Sequence, residues 1–218
     1  MKKNTVIFDL DGTLLDTLQD LADATNYALR KQGMPERTIE EVRQFVGNGV
    51  RLLMIRAIPG GEENPLFEET FALFKSYYGE HCNDHTRPYE GIMELLATLR
   101  EKGYAVAIVS NKIDFAVKEL SKLYFQGIVP VAIGEKEGIR RKPAPDTVFE
   151  ALKELGRTKE EAVYVGDSDV DIETAQNAGM PCISVLWGFR DQAFLKAHGA
   201  SHYAAKAEEI LKYVEELN

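Results

Sequence analysis

Five short runs of almost uninterrupted apolar residues constrain the fold of this 218-residue chain most strongly. Apolar runs without a polar alternate face are typical of strands that are covered on both faces, as in a parallel sheet. From residue 88 onward the runs alternate with amphipathic stretches of helical length, which predicts a doubly wound, parallel α/β sheet. The runs comprise residues 5–8, 104–109, 128–133, 162–165 and 182–186.

The long interval between the first run and the second shows helical patterns only. A capping box formed by Thr38 and Glu41 opens one of its helices, and Gly47-Asn48-Gly49 interrupts the pattern. About 70 residues can pack a small core of their own. We therefore predict an α/β catalytic core of residues 1–15 and 85–218, with an inserted all-α cap domain of residues 16–84.

Charge and hydropathy narrow the possible partners. The formal net charge of −9 leaves no broad basic face for nucleic acid or an anionic membrane. No apolar run approaches the roughly 20 residues of a membrane span, and the N-terminus lacks the apolar region of a signal peptide. The two cysteines, Cys82 and Cys182, form no CxxC pair. We expect a cytoplasmic protein with reduced thiols, no nucleic-acid partner and no membrane partner.

Polar residues stand directly after several of the apolar runs. In an open parallel sheet the carboxyl ends of the strands meet along one crevice, where ligands bind. The candidate site residues are, in chain order, Asp9, Asp11, Gly12, Thr13, Ser110, Asn111, Lys142 and Asp167.

This combination of side chains is typical of a site for Mg²⁺ and a phosphate group. Asp9 and Asp167, from different strands, can bind Mg²⁺, which is usually held by one or two carboxylates, waters and phosphate oxygens. Of the paired acids Asp9 and Asp11, one can attack phosphorus while the other moves a proton. The phosphoryl oxygens can be held by Ser110, Asn111, Lys142 and the backbone near Gly12-Thr13.

Each feature alone also has a purely structural explanation. Asp11-Gly12 is a turn signal, Ser168 can cap a helix, Lys142-Pro143 is usual in an exposed turn, and Ser110-Asn111 after a strand is more often a cap than a ligand. Four such features in this order, all at predicted strand ends, favour a functional site. The negative net charge does not exclude an anionic substrate, because several of the acids would hold a cation.

The same residues carry a resemblance to a known family. Asp9-Leu10-Asp11-Gly12-Thr13, Ser110-Asn111-Lys112, Lys142-Pro143 and Gly166-Asp167-Ser168-Asp169-Val170-Asp171 resemble the four signatures of the haloacid dehalogenase superfamily. The resemblance covers essentially the whole chain. The doubled aspartate is similar to the phosphotransfer branch, and the helical insert is similar to a type 1 cap.

The resemblance implies a Mg²⁺-dependent phosphomonoester hydrolase with a Rossmann-like core. It implies Asp9 as the nucleophile, which forms an aspartyl-phosphate, and Asp11 as general acid and then base. Ser110 and Lys142 would bind phosphate. The metal ligands would be the side chains of Asp9 and Asp167 and the main-chain carbonyl of Asp11. Asp171 would support the metal or Lys142.

A narrower resemblance is to the phosphoglycolate phosphatase group. It rests on residues 45–53 in the predicted cap, on residues 87–91 and 110–112, and on Leu186-Trp187-Gly188-Phe189-Arg190. It implies a small phosphorylated metabolite as substrate, and Arg51 becomes a candidate contact for a substrate carboxylate.

Other functions fit the same residues. A phosphosugar mutase similar to β-phosphoglucomutase and a pyrophosphatase of the same family share these signatures. A receiver-type phospho-switch also uses acidic strand ends, a hydroxyl and a lysine, but it needs only about 120 residues and no helical insert. The sequence leaves the physiological substrate, the oligomeric state and the regulation open.

Overall fold

A computed structural model describes residues 2–218. Among these residues, eight strands and ten α-helices form. The strands are β1 (Thr5–Phe8), β2 (Leu15–Asp16), β3 (Arg87–Pro88), β4 (Ala105–Ile113), β5 (Val131–Glu135), β6 (Ala162–Gly166), β7 (Cys182–Val185) and β8 (His202–Ala204). The helices are α1 (Leu18–Lys31), α2 (Ile39–Phe45), α3 (Val50–Ala57), α4 (Phe67–His81), α5 (Ile92–Glu101), α6 (Asp114–Phe125), α7 (Asp146–Leu155), α8 (Asp169–Ala178), α9 (Gln192–Ala197) and α10 (Ala207–Glu216).

Six strands form one parallel sheet in the order β5-β4-β1-β6-β7-β8. Ile7 packs on one face of the sheet together with Val148 of α7 and Ala175 of α8. Its neighbours Val6 and Phe8 point to the opposite face and are also fully buried. Both faces of the sheet are therefore covered, which confirms the predicted doubly wound α/β core.

The sheet differs from the predicted strands in three places. β5 begins at Val131 rather than 128, because the N–H groups of Ile128 and Val129 close the end of α6 on Phe125 and Pro130 has no N–H to donate. β4 continues beyond Val109 to Ile113, so polar residues extend this strand. The edge strand β8 has three residues, too few for a periodic pattern, and was not predicted.

The chain divides into two compact units. One comprises residues 1–14 and 88–218 and contains the six-stranded sheet; the other comprises residues 15–87 and contains α1–α4. In the helical unit, Thr38 caps α2 in the predicted capping box with Glu41. Gly47-Asn48-Gly49 separates α2 from α3, as the sequence predicts.

No helix within residues 2–218 combines the length and the apolar character needed to cross a lipid bilayer.

Candidate active site

The register of the sheet aligns the ends of three strands. Phe8 of β1 pairs with Ile108 of β4 on one side and with Val165 of β6 on the other. Asp9, the next residue, continues the ladder by donating its N–H to the Val165 carbonyl. Ser110 within β4 and Asp167 directly after β6 lie two residues beyond those pairs. The three side chains thus belong to one edge of the sheet.

A buried ion pair joins Asp9 to Lys142. The Lys142 ammonium donates to Oδ1 of Asp9 over 2.6 Å, to Oδ1 of Asp171 over 2.8 Å and to the Tyr164 hydroxyl over 3.0 Å. Lys142 is 4% exposed and Asp9 6% exposed. Because buried charges require close partners, this geometry fixes the position of the Asp9 carboxylate.

Hydrogen bonds to the chain's own groups saturate the Asp171 carboxylate. Oδ1 accepts from Lys142 and from the Tyr164 hydroxyl. Oδ2 accepts from the backbone N–H groups of Asp167 and Ser168 and from the Ser168 hydroxyl. Asp171 therefore closes the capping box of α8 and holds Lys142 in place.

The Asp167 carboxylate is held from two loops. Its Oδ1 accepts from the Thr13 hydroxyl over 3.1 Å, and its Oδ2 accepts from the Phe189 N–H over 2.7 Å. Two glycines pack against it: a Cβ at Gly12 would lie 2.5 Å from Oδ2, and a Cβ at Gly188 would lie 2.3 Å from the Asp167 Cβ. Only glycine allows both loops to approach this carboxylate so closely.

Burial and mutual repulsion perturb the ionisation of these groups. Burial raises the pKa of Asp9 well above its usual range; Lys142 opposes this effect, while Asp171 and Asp167 add to it. Burial, and then Asp171, raises the pKa of Asp167 to about 7. Burial lowers the pKa of Lys142, but Asp171 and Asp9 outweigh burial and the pKa is raised. The ammonium is therefore charged, and it contacts two carboxylates, those of Asp9 and Asp171.

The carboxylate cluster fits a divalent cation. Oxygen atoms of Asp9, Asp167 and Asp171 lie within 4.8 Å of one another. One ammonium does not neutralise three carboxylates, and oxygen donors suit Mg²⁺. Since Asp171 already accepts five hydrogen bonds, Asp9 and Asp167 are the side chains that could hold the ion.

A second acidic cluster, Asp20, Asp23 and His85, lies in the helical unit. The buried Asp20 carboxylate accepts from the His85 N–H and from the N–H and hydroxyl of Thr86. These bonds give Asp20 a structural role at the point where the chain leaves the helical unit.

The polar end of β4, residues 110–112, holds the Asp11 side chain. Oδ1 of Asp11 lies 2.9 Å from the Lys112 ammonium, and Oδ2 accepts from the Ser110 hydroxyl over 3.3 Å. The pairing of β4 with β5 shifts register between Val109 and Ile113. Such irregularities next to active sites re-aim side chains, and here Ser110 and Lys112 both reach Asp11.

Asn111 contacts the backbone of the lysine segment. Its Nδ2 donates to the Lys142 carbonyl over 3.0 Å, and its buried Oδ1 makes no hydrogen bond to any described residue. Asn111 thus supports the segment that carries Lys142. Its predicted contact with phosphate stays a prediction, as does that of the Gly12-Thr13 backbone.

Arg51 lies on α3 and belongs to the helical unit, whereas the other candidate residues belong to the unit that contains the six-stranded sheet. Its guanidinium donates to Glu62 and Glu68, each over 2.6 Å, and stacks over Phe67. Two carboxylates of its own unit therefore already neutralise the Arg51 charge. Its predicted role with a substrate carboxylate stays a prediction.

The sequence predicted no individual role for several residues of the site. Lys112 belongs to the Ser110-Asn111-Lys112 signature, and its place directly after Ser110-Asn111 is the signal that indicates it. The Tyr164 hydroxyl lies within an otherwise apolar strand and bonds Lys142 and Asp171. The loop after β7 contributes Phe189, and Trp187 of the same loop donates its Nε1–H to the Thr13 carbonyl. That loop directly follows the apolar run of β7, and a position directly after an apolar run is the same signal that predicts Asp9 and Asp167.

A comparison with known protein families assigns the chain to one of them. A model of the haloacid dehalogenase-like hydrolases matches residues 6–185, most of the chain. The chain belongs to the haloacid dehalogenase-like hydrolase family. This assignment confirms the family resemblance and the prediction of an enzyme, and it excludes the receiver alternative.

Similar proteins within the family carry the same name. The chain is 35% identical to a phosphoglycolate phosphatase of Aquifex aeolicus over 84% of this chain and 85% of the relative. It is 31% identical to a phosphoglycolate phosphatase of Mesorhizobium japonicum over 96% of both chains. A crystal structure of a candidate phosphoglycolate phosphatase from Lactobacillus delbrueckii subsp. bulgaricus is 40% identical, covers 98% of this chain and 99% of its own, and superposes with a TM-score of 0.94.

Proposed function

We propose that this hydrolase releases phosphate from a small phosphomonoester, with 2-phosphoglycolate as the leading substrate. The observation that carries the proposal is the buried contact between Asp9 and Lys142 beside Asp167. A carboxylate with a fixed ammonium partner suits nucleophilic attack on an anionic phosphate, because the ammonium offsets the repulsion between the two anions. The choice of substrate is supported by the names of the relatives.

The proposed first step transfers the phosphoryl group to Asp9. A carboxylate oxygen of Asp9 attacks phosphorus, and the bond from phosphorus to the ester oxygen breaks. Asp11 donates a proton to that oxygen, which leaves as the alcohol. Lys142 holds the attacking carboxylate, and the Ser110 hydroxyl is a candidate donor to a phosphoryl oxygen.

The proposed second step returns Asp9 to its starting state. Asp11, now ionised, takes a proton from a water molecule, whose oxygen attacks phosphorus. The bond from phosphorus to Asp9 breaks and inorganic phosphate leaves. Asp9 and Asp167, with the main-chain carbonyl of Asp11, would hold Mg²⁺, which when bound would offset negative charge on the phosphoryl group.

The helical insert and Arg51 also have places in the proposed enzyme. Residues 16–84 would serve as the cap of a core formed by residues 1–15 and 85–218. Arg51 is kept as a candidate contact for a substrate carboxylate. We propose a cytoplasmic enzyme that acts on a small metabolite without a nucleic-acid or membrane partner.

A substrate screen tests the function. Purified protein with Mg²⁺ is assayed for phosphate release from 2-phosphoglycolate, p-nitrophenyl phosphate, pyrophosphate and a panel of phosphorylated metabolites, with EDTA as control. We expect the highest kcat/KM for 2-phosphoglycolate and no release in EDTA. Release of phosphate from pyrophosphate alone would overturn the proposal.

A second assay separates hydrolysis from phosphoryl transfer. Glucose 1-phosphate is incubated with a trace of the bisphosphate, and the products are resolved. Glucose 6-phosphate in place of inorganic phosphate would show that the enzyme is a mutase.

A further inference from the structure

We propose that Lys112 forms a carboxylate subsite beside the phosphate site, so that the preferred substrate is a phosphomonoester whose alcohol part carries a nearby carboxylate. The inference rests on the proposed function and deepens it. It starts from the buried position of Lys112, which is 7% exposed and lies two residues after Ser110.

The structure already contains a carboxylate between these two residues. Asp11 presents one oxygen to the Lys112 ammonium and the other to the Ser110 hydroxyl. The Lys112 N–H donates to the Ser110 oxygen, which leaves the hydroxyl hydrogen to point at Asp11. An ammonium and a hydroxyl that clasp one carboxylate form an anion site of the size of a carboxylate.

The two lysines of the candidate site, Lys142 and Lys112, pair with different carboxylates. Lys142 faces two buried carboxylates, Asp9 and Asp171, and its position between them supports the nucleophile. The Lys112 ammonium is paired with Asp11, the residue proposed to move a proton at the ester oxygen. In the proposed reaction Asp11 acts at the ester oxygen of the substrate, and its pairing with Lys112 and Ser110 competes with that task.

A carboxylated substrate resolves this conflict. Its carboxylate can take the place of Asp11 beside Lys112, so that the buried ammonium keeps an anionic partner. Its phosphoryl group then engages the Ser110 hydroxyl, and Asp11 is released toward the ester oxygen. A substrate without a carboxylate leaves Lys112 and Asp11 paired and gains nothing from the exchange. Lys112 would therefore select substrate as well as bind it.

Arg51 is the competing candidate for the same task. Its guanidinium is exposed and bonded to Glu62 and Glu68. A substrate carboxylate would have to displace both of these carboxylates from Arg51, whereas at Lys112 it would take the place of Asp11. If Lys112 binds the substrate carboxylate, Lys112→Gln loses specificity. If Arg51 binds it, Arg51→Met loses specificity.

The test compares two substrates in three variants. Wild type, Lys112→Gln, Lys112→Arg and Arg51→Met are assayed with 2-phosphoglycolate and with ethyl phosphate, which lacks the carboxylate. Loss of one charged hydrogen bond predicts that Lys112→Gln raises KM for 2-phosphoglycolate by about 10- to 100-fold. KM for ethyl phosphate should change less than about threefold, and Lys112→Arg should recover much of the loss. Arg51→Met tests the competing assignment, and a subsite at Lys112 predicts that it raises KM for 2-phosphoglycolate less than Lys112→Gln does.

Other outcomes overturn the subsite. An equal fall in kcat on both substrates with unchanged KM would make Lys112 a positioning residue for Asp11 only. A selective rise in KM in Arg51→Met would assign the carboxylate to Arg51. Turnover of neither substrate by wild type would instead contradict the proposed function, so the two failures are distinguishable.

Product inhibition gives a second measurement if Lys112→Gln does not fold. In wild type, glycolate should compete with 2-phosphoglycolate at least about tenfold more strongly than ethanol, because only glycolate offers a carboxylate to Lys112. Equal inhibition by the two alcohols would overturn the subsite.

Discussion

The ammonium of Lys142 lies 2.6 Å from Oδ1 of Asp9, with the two side chains 3% and 9% exposed. The same ammonium contacts Asp171, whose side chain is 1% exposed. One buried cation thus holds the proposed nucleophile and its supporting acid, so the pair serves folding and reactivity together.

Replacing Lys142 by Met should lower both stability and activity. Two buried carboxylates would lose their counter-ion, which predicts a loss of about 3–5 kcal/mol in the free energy of unfolding. Urea titration measures that loss, and phosphate release measures activity. Lys118→Met is the control, because Lys118 pairs with Asp114 on the exposed surface of α6. A Lys142 variant as stable as the control would contradict the structural part of this argument.

Asp9→Asn should abolish turnover while preserving the fold. The amide cannot accept the phosphoryl group as Asp9 does, so kcat should fall by at least about 10³-fold on 2-phosphoglycolate and p-nitrophenyl phosphate. Burial raises the pKa of the Asp9 carboxyl, which means that its charged form is costly in the folded state without a cation. The variant should therefore unfold at a temperature no lower than that of metal-free wild type. Near-normal turnover would refute Asp9 as the nucleophile.

The stability of the metal-free protein should fall as pH rises between about 4 and 7. The Asp167 carboxyl ionises near pH 4 when unfolded, but burial and Asp171 raise its folded pKa to about 7. In that interval the folded state binds more protons than the unfolded state, so its advantage declines with pH. Thermal unfolding in EDTA tests this trend.

Mg²⁺ should reverse the fall in stability with rising pH, since a cation favours the ionised form of the carboxylates. The rise in Tm caused by Mg²⁺ should be larger at pH 8 than at pH 5. Asp167→Asn should reduce the pH dependence in EDTA, with Asp9 left as the other carboxyl of raised pKa, and reduce the response to Mg²⁺. An identical Mg²⁺ effect at both pH values in wild type would argue against a metal site at Asp9 and Asp167.

Gly188→Ala should weaken Mg²⁺ binding. The added Cβ would lie 2.3 Å from the Asp167 Cβ and 2.5 Å from the Gly12 carbonyl oxygen, so the loop or the carboxylate must move. Isothermal titration should show weaker Mg²⁺ binding, with reduced kcat in parallel. Gly79→Ala is the matched control, because Gly79 lies in the last turn of α4 and a Cβ there meets nothing within 4 Å. That change should be neutral or stabilise the helix by up to about 1 kcal/mol.

Much of the fold could be predicted because its signals are local. The apolar runs around Ile7 and Val163 are typical of strands buried on both faces, and Thr38 with Glu41 indicates a helix start. The limits of β5 could not be predicted, because they depend on how α6 ends at Phe125. The edge strand β8 pairs with β7 but leaves no pattern of its own.

The candidate site also has a part that local sequence predicts and a part that depends on tertiary contacts. Sequence by itself determined which residue types stand at the strand ends, since Asp9, Ser110 and Asp167 each follow an apolar run. Which of these groups touch one another was decided by the tertiary structure alone. Ion pairs such as Lys142–Asp9 and Lys112–Asp11 join residues about 100 or more positions apart. Their existence depends on strand order, register and the exclusion of water, none of which is encoded in local spacing.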